Sequence, residues 1–247
     1  MKKLLRWVVR VIQGLLALFS LGIVVLMAVN WRDEPLAPEA ARLLAPPPAP
    51  SSDAPNAYDV LLGFHAPDGE DALAAGQGIR ARFKRLLRKN PADPDVGEWP
   101  RNQTIDTETE QWEALACQET DCVDFYLGEQ DRIRAFMAKP SLLRQRYRQF
   151  LQIPAFDEPA RRTPIDPSPR YLSLMPASEM RRAEVALALG GGDLQTGAAM
   201  LMEEIRAHRR LLAGSANRLG KIMGVSLLRS DYRLLSDAIE HWPQLKF

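Results

Sequence analysis

Glu204 and His208 stand one helical turn apart, and with only His65, His208 and His241 in the chain they bound the metal or acid–base chemistry on offer. A Glu and a His at i and i+4 can share a metal ion. The di-iron pattern, however, sets Glu and His three apart and adds further inward carboxylates. With Arg206, Arg209 and Arg210 beside them, the two read as a surface ion pair. Ser215 follows Gly214, but there is no G-x-S-x-G and no base arranged to activate it, so it reads as a turn residue. Gly190, Gly191 and Gly192 precede a helix whose N-terminus could hold an anion. No Lys-Ser/Thr follows them, and Asp193 already takes the cap. No catalytic residue, cofactor or metal ligand is assigned from sequence.

Cys117 and Cys122 are the two cysteines. Residues five apart in an unbroken α-helix have Cα atoms about 8 to 9 Å apart, beyond the ~7 Å limit for a disulfide. A bridge therefore requires a turn at 118–121, with Asp121 capping the following helix. On the far side of a membrane from the cytoplasm the pair is expected to be oxidised. No second cysteine pair or His pair with zinc spacing accompanies it.

The N-terminus sets that location. Residues 11–29 carry no charge and follow Lys2, Lys3, Arg6 and Arg10. A 19-residue helix covers roughly 28 Å, close to the ~30 Å core of a bilayer, and Trp7 and Trp31 flank it as membrane-interface residues. The basic end is expected in the cytoplasm. Beyond the span, Arg32 and Arg42 face five acids over residues 30–61. Without the four leading cations, 28 of the 32 Lys and Arg remain against 31 Asp and Glu, which excludes a nucleic-acid binder.

Seven prolines in 33–55 make a semi-rigid spacer. Helical patterning then runs over 56–63 and over 69–89, where Ile79, Phe83, Leu86 and Leu87 share a buried face. Arg80, Arg82, Lys84, Arg85, Arg88 and Lys89 form a solvated basic face around it. After an irregular stretch at 90–101, which Trp99 pins, further helices are expected at 107–117, at 121–137 and, capped by Ser141, at 142–151. Five prolines in 152–170 suggest a surface strap held by Ile153, Phe156 and Ile165. Helices at 178–189, 193–213, 216–229 and 231–241 follow.

The expected fold class is all-α: a single N-terminal transmembrane helix, a Pro-rich linker and a soluble helical bundle of seven or eight helices. Its parts are a cytoplasmic basic segment (1–10), the anchor (11–29), a Pro/Ala-rich linker (30–55), an N-terminal helical subdomain (56–151), the strap (152–170) and a C-terminal helical hairpin bundle (171–247). Met200, Leu201, Met202 and Ile205, bordered by Arg206, Arg209 and Arg210, are expected to form an exposed partner surface, because flexible thioethers suit adaptable contacts.

This layout of anchor, spacer and helical domain is similar to that of the lipase-specific foldases, whose activity motif has the form R-x-x-F-D-Y. The segment Asp124, Phe125, Tyr126, Leu127, Gly128 shares an acid, aromatics and a leucine in another order and lacks the leading arginine, so no functional residue carries over. The resemblance implies a membrane-tethered chaperone of a secreted enzyme. Set against it are an enzyme without recognisable motifs and, as the leading expectation, a non-enzymatic scaffold in the bacterial inner membrane. That scaffold contacts the lipid bilayer through 11–29 and an envelope protein partner through its periplasmic domain.

Overall fold

The computed structural model describes residues 13–16, 18–23, 54–89, 101–117, 121–159 and 167–245. The chain divides into two units, Met1–Pro48 and Ala49–Phe247. In the first, residues 13–16 and 18–23 are helical, with Leu15, Leu16, Leu18, Phe19, Leu21 and Ile23 exposed. Among the described residues no helix is long and apolar enough to cross a membrane. Both ends of the expected span, Trp7, Trp31 and the spacer over 30–53 lie outside the described residues, as do Trp99 and Ile165.

The second unit is all-helical, with no strand among the described residues. Its helices begin where short polar side chains can take up the free N–H groups of a first turn. Asn56 accepts from Tyr58 N at 3.0 Å and starts α1, Ala57–Leu62, every residue of which is buried. Asp71 accepts from Ala74 N at 2.8 Å at the start of α2, Ala72–Lys89. The two helices cross at Gly63 and Gly76, where any side chain would strike backbone: a Cβ on Gly76 would lie 1.7 Å from the Asp59 carbonyl oxygen. On α2 the basic residues Arg82, Lys84, Arg85, Arg88 and Lys89 are solvated as expected, whereas the Arg80 guanidinium pairs at 2.8 Å with the buried Asp59 carboxylate.

Asn102 caps α3, Gln103–Glu113, four residues earlier than the apolar pattern implies. Asp121 accepts from Val123 N and Asp124 N and starts α4, Cys122–Gly128; the run expected to continue is broken at Glu129, and α5 covers Gln130–Met137. Cys117 and Cys122, the first residue of α4, stand at disulfide distance, with Cα atoms 5.7 Å apart. Helix α6, Leu142–Gln152, is capped twice. Ser141 accepts from Arg144 N at 3.1 Å, and Glu108 of α3 accepts from Leu142 N and Leu143 N, both at 2.9 Å. From α6 the buried Arg146 donates to the carbonyls of Phe64, Ala66, Pro67 and Glu70, satisfying the loop between α1 and α2.

The described part of the strap joins distant parts of the chain. Ala57 N donates to Ala155 O at 2.9 Å, Asn56 Nδ2 to Asp157 O at 2.8 Å, and Glu158 N to Gly214 O at 3.0 Å. Ile153 and Phe156 are buried beneath it. A 3₁₀ turn, Tyr171–Ser173, leads into α7, Leu174–Gly190, which starts earlier than expected because Pro176 fits the donor-free first turn. Gly192, at φ +87°, provides the left-handed step that ends it. Asp193 then caps α8, Leu194–Gly214, and Asn217 caps α9, Arg218–His241. Helix α9 is continuous through Ser230 and Asp231, where two helices were expected.

Gly76→Ala should lower stability by about 1 to 3 kcal/mol, since the crossing cannot open without separating α1 from α2; a urea titration checks this. Replacing Cys117 and Cys122 together by Ser should cost about 2 kcal/mol, the closure entropy of so small a loop. Thiol labelling of unreduced protein gives the independent readout: no free thiol in the parent, two after reduction.

Candidate functional site

Four helices bring six polar side chains together inside the second unit. The inward face of α6 carries Leu143, Arg146, Tyr147 and Phe150, so Tyr147 points into the bundle. Helix α7 buries residues around most of its circumference, Ser178 and Arg182 among them. On α8 the buried stripe is Leu201, Glu204, Ile205, His208 and Leu211; on α9 it is Met223, Leu227, Leu228, Asp231 and Leu234. Glu204, His208 and Asp231 are each 0% exposed.

Arg182 Nη1 donates to Ser178 Oγ at 2.6 Å, and Ser178 Oγ donates to Glu204 Oε1 at 2.7 Å. The same Glu204 oxygen accepts from the Tyr147 hydroxyl at 2.6 Å. That hydroxyl lies 2.9 Å from His208 Nε2, and His208 Nδ1 lies 2.6 Å from Asp231 Oδ2. Arg182 also faces Asp231 at 3.7 Å and Glu179 at 3.9 Å. Glu204 Oε2 and Asp231 Oδ1 are buried and accept no hydrogen bond among the described residues.

Burial, with Asp231 beside it, raises Glu204 above the usual carboxylate range. Burial also pushes the Tyr147 hydroxyl well above its ordinary value, aided by Glu204 and Asp231. For Arg182 burial acts downward, but Glu204, Tyr126, Asp231 and Glu179 surround the guanidinium and hold it above its usual value. Glu204, His208 and Asp231 can each offer a ligand atom to one metal ion, these atoms lying within 4.8 Å of one another.

The expected surface ion pair of Glu204 and His208 is thus a buried one. The arginines that suggested exposure sit on other faces of α8: Arg206 and Arg209 are exposed, and Arg210 turns to donate to Leu151 O and Ile153 O. The exposed patch expected at Met200, Leu201, Met202 and Ile205 does not form. Leu201 and Ile205 are 0% and 3% exposed, and Met200 and Met202 are half-buried against the same cluster of Val123, Val185, Leu189 and Leu234. Core filling accounts for these thioethers. Within Asp124–Gly128, Tyr126 is buried and Phe125 half-buried. Ser215 serves its turn, donating to Leu211 O at 2.7 Å.

Tyr147, Ser178, Arg182 and Asp231 were not singled out from sequence. The available signal was position: Asp231 falls in the apolar 3-and-4 spacing of Gly224, Leu227, Leu228, Leu234 and Ala238, where a charge needs a partner.

Two lesser groupings lie elsewhere. His241 Nε2 is 3.0 Å from Asp121 and 3.6 Å from Asp124 at the surface, and Asp121 already caps α4. A recess of about 20 Å³ is lined by Leu61, Leu62, His65, Ile79, Pro167 and Arg170, with room for about one water. His65 is buried there, bonded to Ser173 Oγ at 2.7 Å. Burial and the nearby Arg170 lower its pKa to about 4.

Fold and site together define an all-α bundle with an ionic cluster sealed in its core. No protein-family profile matches the chain, no curated protein matches it, and no solved structure matches it.

Asp231→Ala should cost about 3 to 5 kcal/mol, because it removes a partner shared by His208 and Arg182 and leaves charge buried without compensation; chemical denaturation measures it. His65 binds protons less readily folded than unfolded, so its contribution is complete above pH 6.5 and is lost as pH falls through about 4. Asp59, raised to about 6 by burial against Arg80 and Lys84, acts in the opposite sense, favouring the fold at low pH and losing that contribution as pH rises to about 6. His65→Gln should therefore gain stability relative to the parent as pH drops from 6.5 to 4, read by urea titrations across that range.

Proposed function

We propose that the protein is a membrane-anchored helical binding module of the bacterial envelope, held in the inner membrane by residues 11–29 with its helical domain in the periplasm, and that it acts by contact with another envelope protein. The observation that carries this reading is the distribution of apolar surface on the second unit. Among the described residues its exposed large apolar side chains are Leu172, Leu219, Ile222, Val225, Tyr232 and Ile239, and five of the six belong to α9. Scattered single exposures are ordinary, but a concentration on one helix is what a contact face presents. Ile222, Val225, Tyr232 and Ile239 recur at intervals of three and seven, which keeps them on one stripe of the helix.

The buried cluster points the same way. Glu204, His208, Asp231, Ser178 and Tyr147 include the residue types of a general acid, base and nucleophile, but all five are sealed from solvent, where no substrate can meet them. Anchoring is supported by the uncharged stretch and the cations that precede it.

A photo-crosslinking residue placed in the full, membrane-bound chain at Ile222, Val225 or Tyr232 should capture the same envelope protein, whereas the probe at Arg82 on α2 should not. Ile222→Asp with Val225→Asp should abolish the product and move thermal stability by no more than about 0.5 kcal/mol per site, as surface changes do. Absence of a shared product at the three α9 positions overturns the reading.

A further inference from the structure

We propose that Glu204, His208 and Asp231 form a structural binding site for one divalent transition-metal ion, of the Zn²⁺ class, that clamps α8 to α9 inside the bundle. The inference is independent of whether α9 carries a partner on its outer face.

The donors suit such an ion. One imidazole and two carboxylates make a nitrogen–oxygen set of the kind that holds Zn²⁺ and its neighbours in the first transition row. The three donor atoms lie within 4.8 Å of one another. Ligands bonded at about 2.0 to 2.2 Å in a tetrahedron stand roughly 3.3 to 3.6 Å apart. The 2.6 Å approach of His208 Nδ1 to Asp231 Oδ2 would then open by under about 1 Å. The Tyr147 hydroxyl, 2.6 Å from Glu204 Oε1, lies 2.9 Å from His208 Nε2, the ring nitrogen opposite the Nδ1 that faces Asp231, so it orients the ring and is not itself a ligand.

Two observations apart from the spacing favour a cation here. Glu204 Oε2 is a buried carboxylate oxygen with no hydrogen-bond donor among the described residues, and Asp231 Oδ1 has only the ion pair to Arg182 Nη1 at 3.7 Å. An unpartnered anionic oxygen in a protein core is costly, and a cation is its commonest remedy. Second, acids outnumber bases: Glu204, Asp231 and the half-buried Glu179 all face Arg182, so three carboxyl groups share one guanidinium. Binding would follow the usual exchange, with the carboxylates and a deprotonated ring nitrogen replacing the ion's waters and any bound protons leaving to solvent.

The test uses the full chain purified in detergent, stripped with chelator and titrated with ZnCl₂. The expected result is one zinc per chain by elemental analysis and a rise in the thermal midpoint that saturates at one equivalent. Co²⁺ substituted into the parent protein should give the intense visible bands of a low-coordinate, water-excluded site, a readout that needs no variant. Glu204→Gln keeps the size of the side chain and an oxygen for Tyr147, and should lose the thermal rise. His241→Asn, which disrupts the exposed grouping with Asp121 and Asp124, should keep it. No bound metal, a weak Co²⁺ spectrum of the fully hydrated kind, or loss of binding in His241→Asn with retention in Glu204→Gln would each overturn the proposal.

Discussion

Carrying charge through the middle of a helical bundle is the constraint around which this domain is arranged. Glu204 and Asp231 are fully enclosed, and removing an isolated carboxylate from water costs far more than any one packing contact returns. Each must therefore be met by donors from other helices. Tyr147 from α6, Ser178 and Arg182 from α7 and the His208 imidazole from α8 meet that demand at distances of 2.6 to 2.9 Å, with Arg182 reaching Asp231 at 3.7 Å. Because the donors come from α6, α7 and α8 and the carboxylates from α8 and α9, the polar cluster fixes the relative rotation of α6, α7, α8 and α9. Apolar side chains such as Leu201 and Leu227 fill the space around it but would tolerate slippage that hydrogen bonds do not.

The same economy appears at the other end of the bundle. Arg146 enters the core from α6 and uses its fork to satisfy a run of loop carbonyls that would otherwise face apolar side chains. Glu108 does the equivalent for the N–H groups of α6, and Glu158 for those preceding α9, accepting from Ala216 N and Asn217 N. Charged residues thus act as caps for neighbouring segments, so that secondary structure and tertiary contact form together.

Local signals were readable in the sequence because they are local. Asn56, Asp121, Ser141 and Asp193 cap helices at the places their types and neighbours indicate, and Cys117 and Cys122 stand within the reach of a disulfide. The interior charges were not readable in that way. Glu204 and His208 lie among arginines in sequence, and only the 100° step per residue separates their face from that of Arg206 and Arg209. Asp231 looks like the cap of a new helix, but its carboxylate is occupied by His208, so it offers the backbone no alternative and α9 runs on. Burial of Met200 and Met202 likewise depends on α4 and α9 covering them, which no window of sequence contains.

The strap has a consequence for the order in which the chain can assemble. Helix α1 is six residues long, wholly buried, and its first amide and the side chain of its cap Asn56 are held by Ala155 and Asp157, about a hundred positions downstream. So short a helix has no stability of its own. At a synthesis rate of about 5 to 20 residues per second, α1 must wait roughly 5 to 20 s for those partners to be made. Throughout that interval Tyr58, Leu61, Leu62 and Phe64 are without the core that later encloses them. The nascent chain therefore presents a greasy leading edge until more than half of the domain has followed it, a window in which a holding chaperone has something to grip and misassociation has something to exploit.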